Sequence, residues 1–212
     1  MQRRALFLDR DGVINAMVYH PDFGLVDSPA RPEEFTLLPG AATAVRRLRA
    51  LGFLAIVISN QPGIAKGKFT PALLEAVTAK MHAQLAAGGA RLDAVYYCLH
   101  HPQAALPEYR ARCDCRKPRP GLLRQAAQAW EIDLARSFFV GDGVTDVVAG
   151  RAAGCTTVLA NSRKCYLCDE LARQNAAPDY LVKDLATAVD LLELLESGDA
   201  AGAEAYRFRC AL

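Results

Sequence analysis

Arg4-Ala5-Leu6-Phe7-Leu8-Asp9-Arg10-Asp11-Gly12-Val13-Ile14-Asn15 sets an apolar run directly against two carboxylates one residue apart. A short unbroken apolar run suits a strand buried on both faces of a parallel sheet, and the glycine behind the second carboxylate lets the backbone turn sharply. In open α/β sheets, ligands bind at the carboxyl ends of the strands. Asp9 and Asp11 are therefore candidate active-site groups, one suited to attack as a nucleophile and the other to carry a proton. A strand that merely ends in a polar turn would look the same over this stretch, so the rest of the chain has to decide.

Outward from that strand, elements alternate. A Pro-, Gly- and Asp-containing stretch from Ala16 to Pro39 reads as a loop, and Gly40 to Leu51 carries a helical period in Ala41, Ala44, Val45 and Leu48. Phe53 to Ile58 reads as a second buried strand, broken by Ser59-Asn60-Gln61-Pro62-Gly63. Thr70-Pro71 opens a helix to about Ala87, Ala94 to Cys98 is a strand, and Pro120-Gly121 opens a helix to Trp130. Ser137 to Val140 is a strand, Thr145 to Ala153 a helix, Thr156 to Leu159 a strand, and Tyr180 to Val182 an edge strand. Leu185, Val189, Leu192 and Leu195 stripe a last helix. Strand followed by helix throughout predicts an α/β fold: a Rossmann-like parallel sheet with helices on both faces and its strand-end loops along one rim. Residues 1–197 are expected to form one domain, and 198–212, Ala/Gly-rich and without period or repeat, a C-terminal tail.

The 212 residues carry a net charge of +2 and 52% hydrophobic content, which makes no electrostatic case for nucleic acid or a membrane surface. No apolar stretch is long enough to span a bilayer, and Asp9 interrupts any signal-peptide core, so a cytoplasmic protein is expected. Seven cysteines, an odd count without an export signal, favour metal binding or free thiols over disulfides.

Gly141-Asp142-Gly143-Val144-Thr145-Asp146 brings a second acidic pair to the same rim. Clustered carboxylates repel by roughly 4 kcal/mol per pair at 4 Å and an effective dielectric of 20. A hard cation relieves this, so Asp9 and Asp142 are candidate Mg²⁺ ligands with Asp146 in support. Ser59 and Asn60 offer a hydroxyl and backbone N–H groups to phosphate oxygens, and Lys117 in Arg116-Lys117-Pro118 is placed to enter the site as a point positive charge.

Asp9-x-Asp11-Gly12, Ser59-Asn60, Lys117 and Gly141-Asp142-x-x-x-Asp146, in this order on successive strands, resemble the haloacid dehalogenase superfamily of phosphohydrolases over about 150 of the 212 residues. DRDGVIN, SNQPGIAKG and Cys98-x-His100 with Cys113-x-Cys115 resemble its branch of heptose bisphosphate and histidinol-phosphate phosphatases. The resemblance implies a phosphomonoester hydrolase working through an aspartyl-phosphate. In that scheme Asp9 is the nucleophile and Asp11 the general acid and base. Mg²⁺ sits on Asp9, Asp142 and the backbone carbonyl of Asp11, while Lys117, Ser59 and Asn60 face the phosphoryl oxygens.

Cys98-Leu99-His100 and Cys113-Asp114-Cys115 each put two ligand-type residues on one side of an extended chain. Two such pairs can close a tetrahedron, with His100 or His101 as the nitrogen donor. The resemblance favours His100 and implies a closed, structural Zn²⁺ that shapes the loop carrying Arg116 and Lys117. Cys165-x-x-Cys168 has no second pair and reads as exposed thiols at a helix start; Cys155 reads as core, and Cys210 sits in the patternless tail. Trp130, Phe138 and Phe139 read as packing groups.

Neither the gap after Asn15 nor the one before Lys117 has room for a large cap domain, so the site is expected to be open, with Gln61 and Arg116 on the substrate side. Lys66, Lys68 and Arg116 are candidates for a second phosphate. A small phosphorylated sugar, foremost a heptose 1,7-bisphosphate losing its 7-phosphate, is the expected substrate, with histidinol phosphate the alternative. A zinc-containing sugar-phosphate binding protein is the non-enzymatic alternative. No nucleic-acid or membrane partner and a monomeric state are expected. The resembling family often has Lys after the fourth-motif Asp, where this chain has Gly143.

Overall fold

The computed structural model describes residues 2–22, 24–160 and 167–209, Cys168 by its backbone alone; Cys165 and Cys210 lie outside the described residues. β1 (Ala5–Leu8) is buried at every position, as expected of a strand covered on both faces. β2 (Val18–His20) and β3 (Leu25–Asp27) pair antiparallel. There follow α1 (Ala41–Ala50), β4 (Leu54–Asn60), α2 (Pro71–Ala87), β5 (Ala94–Cys98), α3 (Gly121–Trp130), β6 (Phe138–Gly141) and α4 (Val144–Ala153). β7 (Thr156–Ala160), α5 (Leu167–Arg173), β8 (Tyr180–Val182), α6 (Leu185–Ser197) and α7 (Ala200–Glu204) complete the order.

Six strands form one parallel sheet in the order β5-β4-β1-β6-β7-β8. The chain winds outward from β1 to β4 and β5, returns to β1's other side at β6, and winds outward again. The boundary between β1 and β6 is thus the topological switch point, where such sheets leave a crevice at their carboxyl ends.

Alternate residues of the inner strands enter two cores. Leu6, Leu8, Ala55, Val57 and Val140 pack with Ala44, Val45 and Leu48 of α1 and Val189 and Leu192 of α6. Ala5, Phe7, Ile56, Ile58 and Phe139 pack with Leu122, Leu123 and Ala126 of α3 and Ala149 of α4. Each fully buried Val, Leu, Ile or Phe among these stabilises the fold by about 1.5–3 kcal/mol, so both faces anchor the strands whose ends carry the site. Thr70 caps α2 by accepting from Leu73 N at 3.3 Å, as its position before Pro71 predicts.

Three expectations need correction. The stretch from Ala16 to Pro39 is not a plain loop but holds the β2–β3 hairpin and a 3₁₀ turn at Pro32–Glu34. Tyr19, Leu25 and Val26 are exposed, so the hairpin leaves no buried-face period to read. The second strand starts at Leu54 and continues through Ser59 and Asn60, because these pair with Tyr97 and Cys98 of β5. The tail contains α7, capped by Asp199 and anchored by buried Ala203. Beyond α7, Tyr206 O accepts from Leu181 N at 2.8 Å, which blunts the outer edge of β8.

No helix among the described residues is long and apolar enough to cross a membrane. Between β1 and α1 the chain holds only the hairpin and a 3₁₀ turn, and between β5 and α3 only the cysteine loop with a second 3₁₀ turn, so neither gap carries a large cap domain among the described residues.

Candidate active site

Asp9 leaves β1 with its N–H bonded to Val140 O of β6 at 2.9 Å, which ties the first carboxylate to the strand that delivers Asp142. Gly12 follows at φ +82°, and a Cβ there would lie 2.4 Å from an Asp142 carboxylate oxygen, so only glycine lets the two loops approach this closely. Gly141 is equally constrained: a Cβ would stand 2.2 Å from Cβ of Asp146. One ligand atom from each of Asp9, Asp142 and Asp146 falls within 4.8 Å of the others.

Lys117 is buried among them. Its Nζ lies 2.6 Å from Asp146 Oδ1 and 2.9 Å from Asp9 Oδ1, and it donates to Ile58 O at 2.9 Å. Burial works against this ammonium, but Asp146 and Asp9 outweigh it and hold its pKa above the usual lysine range. Burial lifts the Asp9 carboxyl to about 6 against the pull of Lys117, with Asp146 and Asp11 adding to the rise and a hydrogen bond from Ser59 opposing it. Asp146 is also raised, by burial first, although Lys117 faces it and Gly143 N donates to its Oδ2 at 3.0 Å. Three carboxylates facing one ammonium leave negative charge at the switch point. Hard oxygen donors with that surplus fit Mg²⁺, and Asp146 belongs to the cluster as closely as Asp9 and Asp142 do.

Asp11 points into a different set of partners. Its carboxylate accepts from Arg10 Nε and Nη2 at 3.1 Å, Asn15 Nδ2 at 2.9 Å and Gln61 Nε2 at 2.6 Å. Gln61 is fully buried, and its amide also meets Ser59 Oγ at 3.2 Å and Arg10 Nη2 at 3.1 Å. Asn60 turns toward the backbone of Lys117, accepting from its N–H at 3.1 Å and donating to its carbonyl at 3.0 Å. Arg116 donates to His100 O at 3.3 Å.

The second donor cluster lies after β5. Cys98, His100, Cys113 and Cys115 present ligand atoms within 4.8 Å of one another. Cys115 Sγ stands 3.0 Å from Cys113 Sγ and 3.2 Å from Cys98 Sγ, with His100 Nδ1 at 3.4 Å. Burial pushes the Cys98 and Cys115 thiols up, whereas hydrogen bonds from Cys115 and Cys98 pull Cys113 down despite burial. Thiols this close cannot all ionise without a cation between them, and three sulfurs with one imidazole fit Zn²⁺ in a closed tetrahedral site. His101 stands apart: its Nδ1 accepts from Gln103 N at 3.1 Å.

Of the rim cations, Lys68 is paired with Asp27 of β3. Lys66 is exposed, and its charge, with that of Arg116, bears on His101, whose pKa is lowered by burial and then by these two cations. Ala65 O accepts from Ala105 N at 2.8 Å, which seats the Lys66 loop against the cysteine loop. Asn15, Arg10 and the Asp146 contacts are the features that motif reading left unassigned or peripheral. Only the position of Asn15 within DRDGVIN gave a local hint.

Residues 114–188 match a family model described as HAD-hydrolase-like. The chain is 42% identical over 183 residues to D-glycero-beta-D-manno-heptose-1,7-bisphosphate 7-phosphatase of Salmonella typhi, covering 86% of this chain and 91% of that protein. The chain belongs to the haloacid dehalogenase-like hydrolases. Within them, the Escherichia coli K12 protein of the same name is also 42% identical, over 86% of this chain and 90% of its own length. The crystal structure of D,D-heptose 1,7-bisphosphate phosphatase from B. bronchiseptica, complexed with magnesium and phosphate, superposes with a TM-score of 0.73 at 33% identity, covering 92% of this chain and 99% of that one. The Burkholderia thailandensis structure of that name gives 0.61 at 30% identity, over 91% of this chain and 99% of its own. This haloacid dehalogenase-like hydrolase therefore shares sequence and fold with phosphatases over nearly their full length.

Proposed function

We propose that this hydrolase is a Mg²⁺-dependent phosphomonoesterase that removes the 7-phosphate of D-glycero-D-manno-heptose 1,7-bisphosphate. The observation that carries this reading is the convergence of Asp9, Asp142, Asp146 and Lys117 at the switch point in a chain 42% identical to enzymes of that name. The basic group of Lys66 and Arg116 beside His101 supports a substrate with a second anionic end.

Asp9 attacks phosphorus in line. A P–O bond to its carboxylate forms as the bond to the sugar oxygen breaks, and Asp11 hands its proton to the leaving alkoxide. Asp11, then a carboxylate, takes a proton from the incoming water. That water displaces Asp9 from phosphorus and frees inorganic phosphate. Lys117 and the Ser59 hydroxyl stabilise charge on the phosphoryl oxygens. Asp9, Asp142 and Asp146 would hold Mg²⁺, which offsets the repulsion between an anionic nucleophile and a dianionic ester. Cys98, His100, Cys113 and Cys115 would hold a Zn²⁺ that fixes the loop ahead of Lys117 and takes no part in the chemistry.

Parallel turnover on heptose 1,7-bisphosphate and histidinol phosphate, with Mg²⁺ added or withheld, tests the reading. Metal-dependent release from the bisphosphate with poor histidinol-phosphate turnover is expected. The reverse preference would overturn the substrate, and no metal-dependent release from any phosphomonoester would overturn the reaction.

A further inference from the structure

We propose that Gln61 is a positioning residue for proton transfer, setting the orientation of Asp11 rather than touching the substrate. The inference rests on the reading of Asp11 as the proton carrier. Gln61 sits at the carboxyl end of β4, fully buried, and both ends of its amide are engaged. Nε2 meets Asp11 Oδ2 at 2.6 Å and Ser59 Oγ at 3.2 Å, and Oε1 accepts from Arg10 Nη2 at 3.1 Å.

Arg10 is itself fully buried, and it grips the same carboxylate through Nε and Nη2. Its guanidinium lies over the Tyr97 ring, 5.6 Å from the centroid. The Tyr97 hydroxyl is in turn hydrogen-bonded to Thr78 of α2 at 3.0 Å. Asn15 Nδ2 donates to Asp11 Oδ1 at 2.9 Å, and Asp11 keeps a small exposed part for the reacting groups.

The carboxylate is thus held in a cradle whose members come from the β1 loop and the end of β4. Gln61 is the member that spans both, because from the end of β4 its amide reaches Arg10 and Asp11 of the β1 loop while also meeting Ser59 of that strand. Through one amide, the group that moves protons is fixed against the end of β4, the strand that pairs with the β1 strand delivering Asp9. Fully buried, with both amide N–H groups and one oxygen lone pair engaged by protein, Gln61 presents no surface to a ligand. Its contribution must pass through the groups it holds, and small misplacements of a reacting group are costly.

The leaving group separates this role from simple structural support. A sugar alkoxide needs a proton as the P–O bond breaks, whereas p-nitrophenolate departs without one. Gln61→Met keeps the length and removes both hydrogen-bonding ends; Gln61→Asn keeps a buried amide but withdraws it from Asp11, and guards against a folding failure of the first variant. Asp11→Asn is the reference. All three are compared with the wild-type holoenzyme on the heptose bisphosphate and on p-nitrophenyl phosphate.

We expect kcat on the sugar phosphate to fall by about 10- to 100-fold in both Gln61 variants, a part of the ~10²–10⁴ that general acid–base catalysis supplies. On p-nitrophenyl phosphate the initial phosphorylation, followed by the p-nitrophenolate burst, should fall less than about threefold, with KM nearly unchanged on both substrates. Equal losses on the two substrates, or a rise in KM at constant kcat, would overturn the inference, the second result making Gln61 a substrate contact. If Asp11→Asn itself fails to discriminate between the leaving groups, the underlying reading of Asp11 falls, and the role of Gln61 with it. Discrimination by Asp11→Asn but not by the Gln61 variants defeats the inference alone.

Discussion

Asn60 holds Lys117 by its main chain, accepting from the lysine N–H at 3.1 Å and donating to its carbonyl at 3.0 Å. The two residues lie 57 positions apart in sequence, so this pair of bonds stitches the end of β4 to the cysteine loop and aims the Lys117 ammonium at Asp9 and Asp146. Asn60→Ala removes both bonds. We expect kcat to drop by about 100-fold, the scale of a displacement near 1 Å in a catalytic group, with KM little changed. Steady-state kinetics on the preferred phosphate ester check this, and a raised KM at unaltered kcat would instead assign Asn60 to the substrate.

Asp9→Asn should abolish turnover while leaving the fold in place, because the amide occupies the same volume yet cannot attack phosphorus. Circular dichroism and zinc content should match the parent, and phosphate release should fall to background. A fully active, metal-dependent Asn variant would refute the nucleophile assignment.

Acidity should compete with magnesium. Burial holds Asp9 at about 6, above its ordinary 3.8, and the cation needs the carboxylate. Below pH 6 the Mg²⁺ concentration for half-maximal activity should therefore rise, by up to about tenfold per pH unit. For stability the sign runs the other way: the folded state binds this proton more tightly than the unfolded chain does, so the Asp9 contribution to metal-free stability grows as pH falls from about 6 toward 3.8. Saturating Mg²⁺ should remove that gain. Calorimetric titrations of Mg²⁺ and thermal melts across this window measure both effects, and a Mg²⁺ requirement independent of pH between 5 and 7 would contradict them.

Zinc should co-purify at about one ion per chain with protein prepared without chelator, as a closed set of four protein ligands demands. Cys115→Ala breaks the cluster two residues ahead of Lys117. It should lose the metal, lower the melting temperature, and reduce kcat through the loosened loop. Elemental analysis and melting curves decide, and full activity in a zinc-free variant would separate the loop from the site.

Much of this was legible in the chain. Asp9, Asp142 and the glycines beside them were readable because each follows a short apolar strand, and the parallel sheet then forces those strand ends together. The clustering of Cys98, Cys113 and Cys115 with a histidine was readable from paired spacing, with the family resemblance choosing His100 over His101. Partnerships across the sheet were not readable. Local sequence supplies side-chain types but not which distant group will claim them. Lys68 looked free for phosphate until Asp27, brought in by an unforeseen hairpin, neutralised it. Gln61 looked substrate-facing until Arg10 and Asp11 took its amide. The hairpin itself escaped because its strands are three residues long and bury no position fully, too little to show a period.

Gly52, Gly89 and Gly154 form turns at positive φ that lead into β4, β5 and β7. They therefore crowd the sheet's amino edge. A strand of 5–7 residues, at roughly 3.3 Å per residue, separates them from the carboxylate cluster by about 17–23 Å. Dyes, affinity handles or surface tethers attached along that far edge would report on the molecule without disturbing its chemistry.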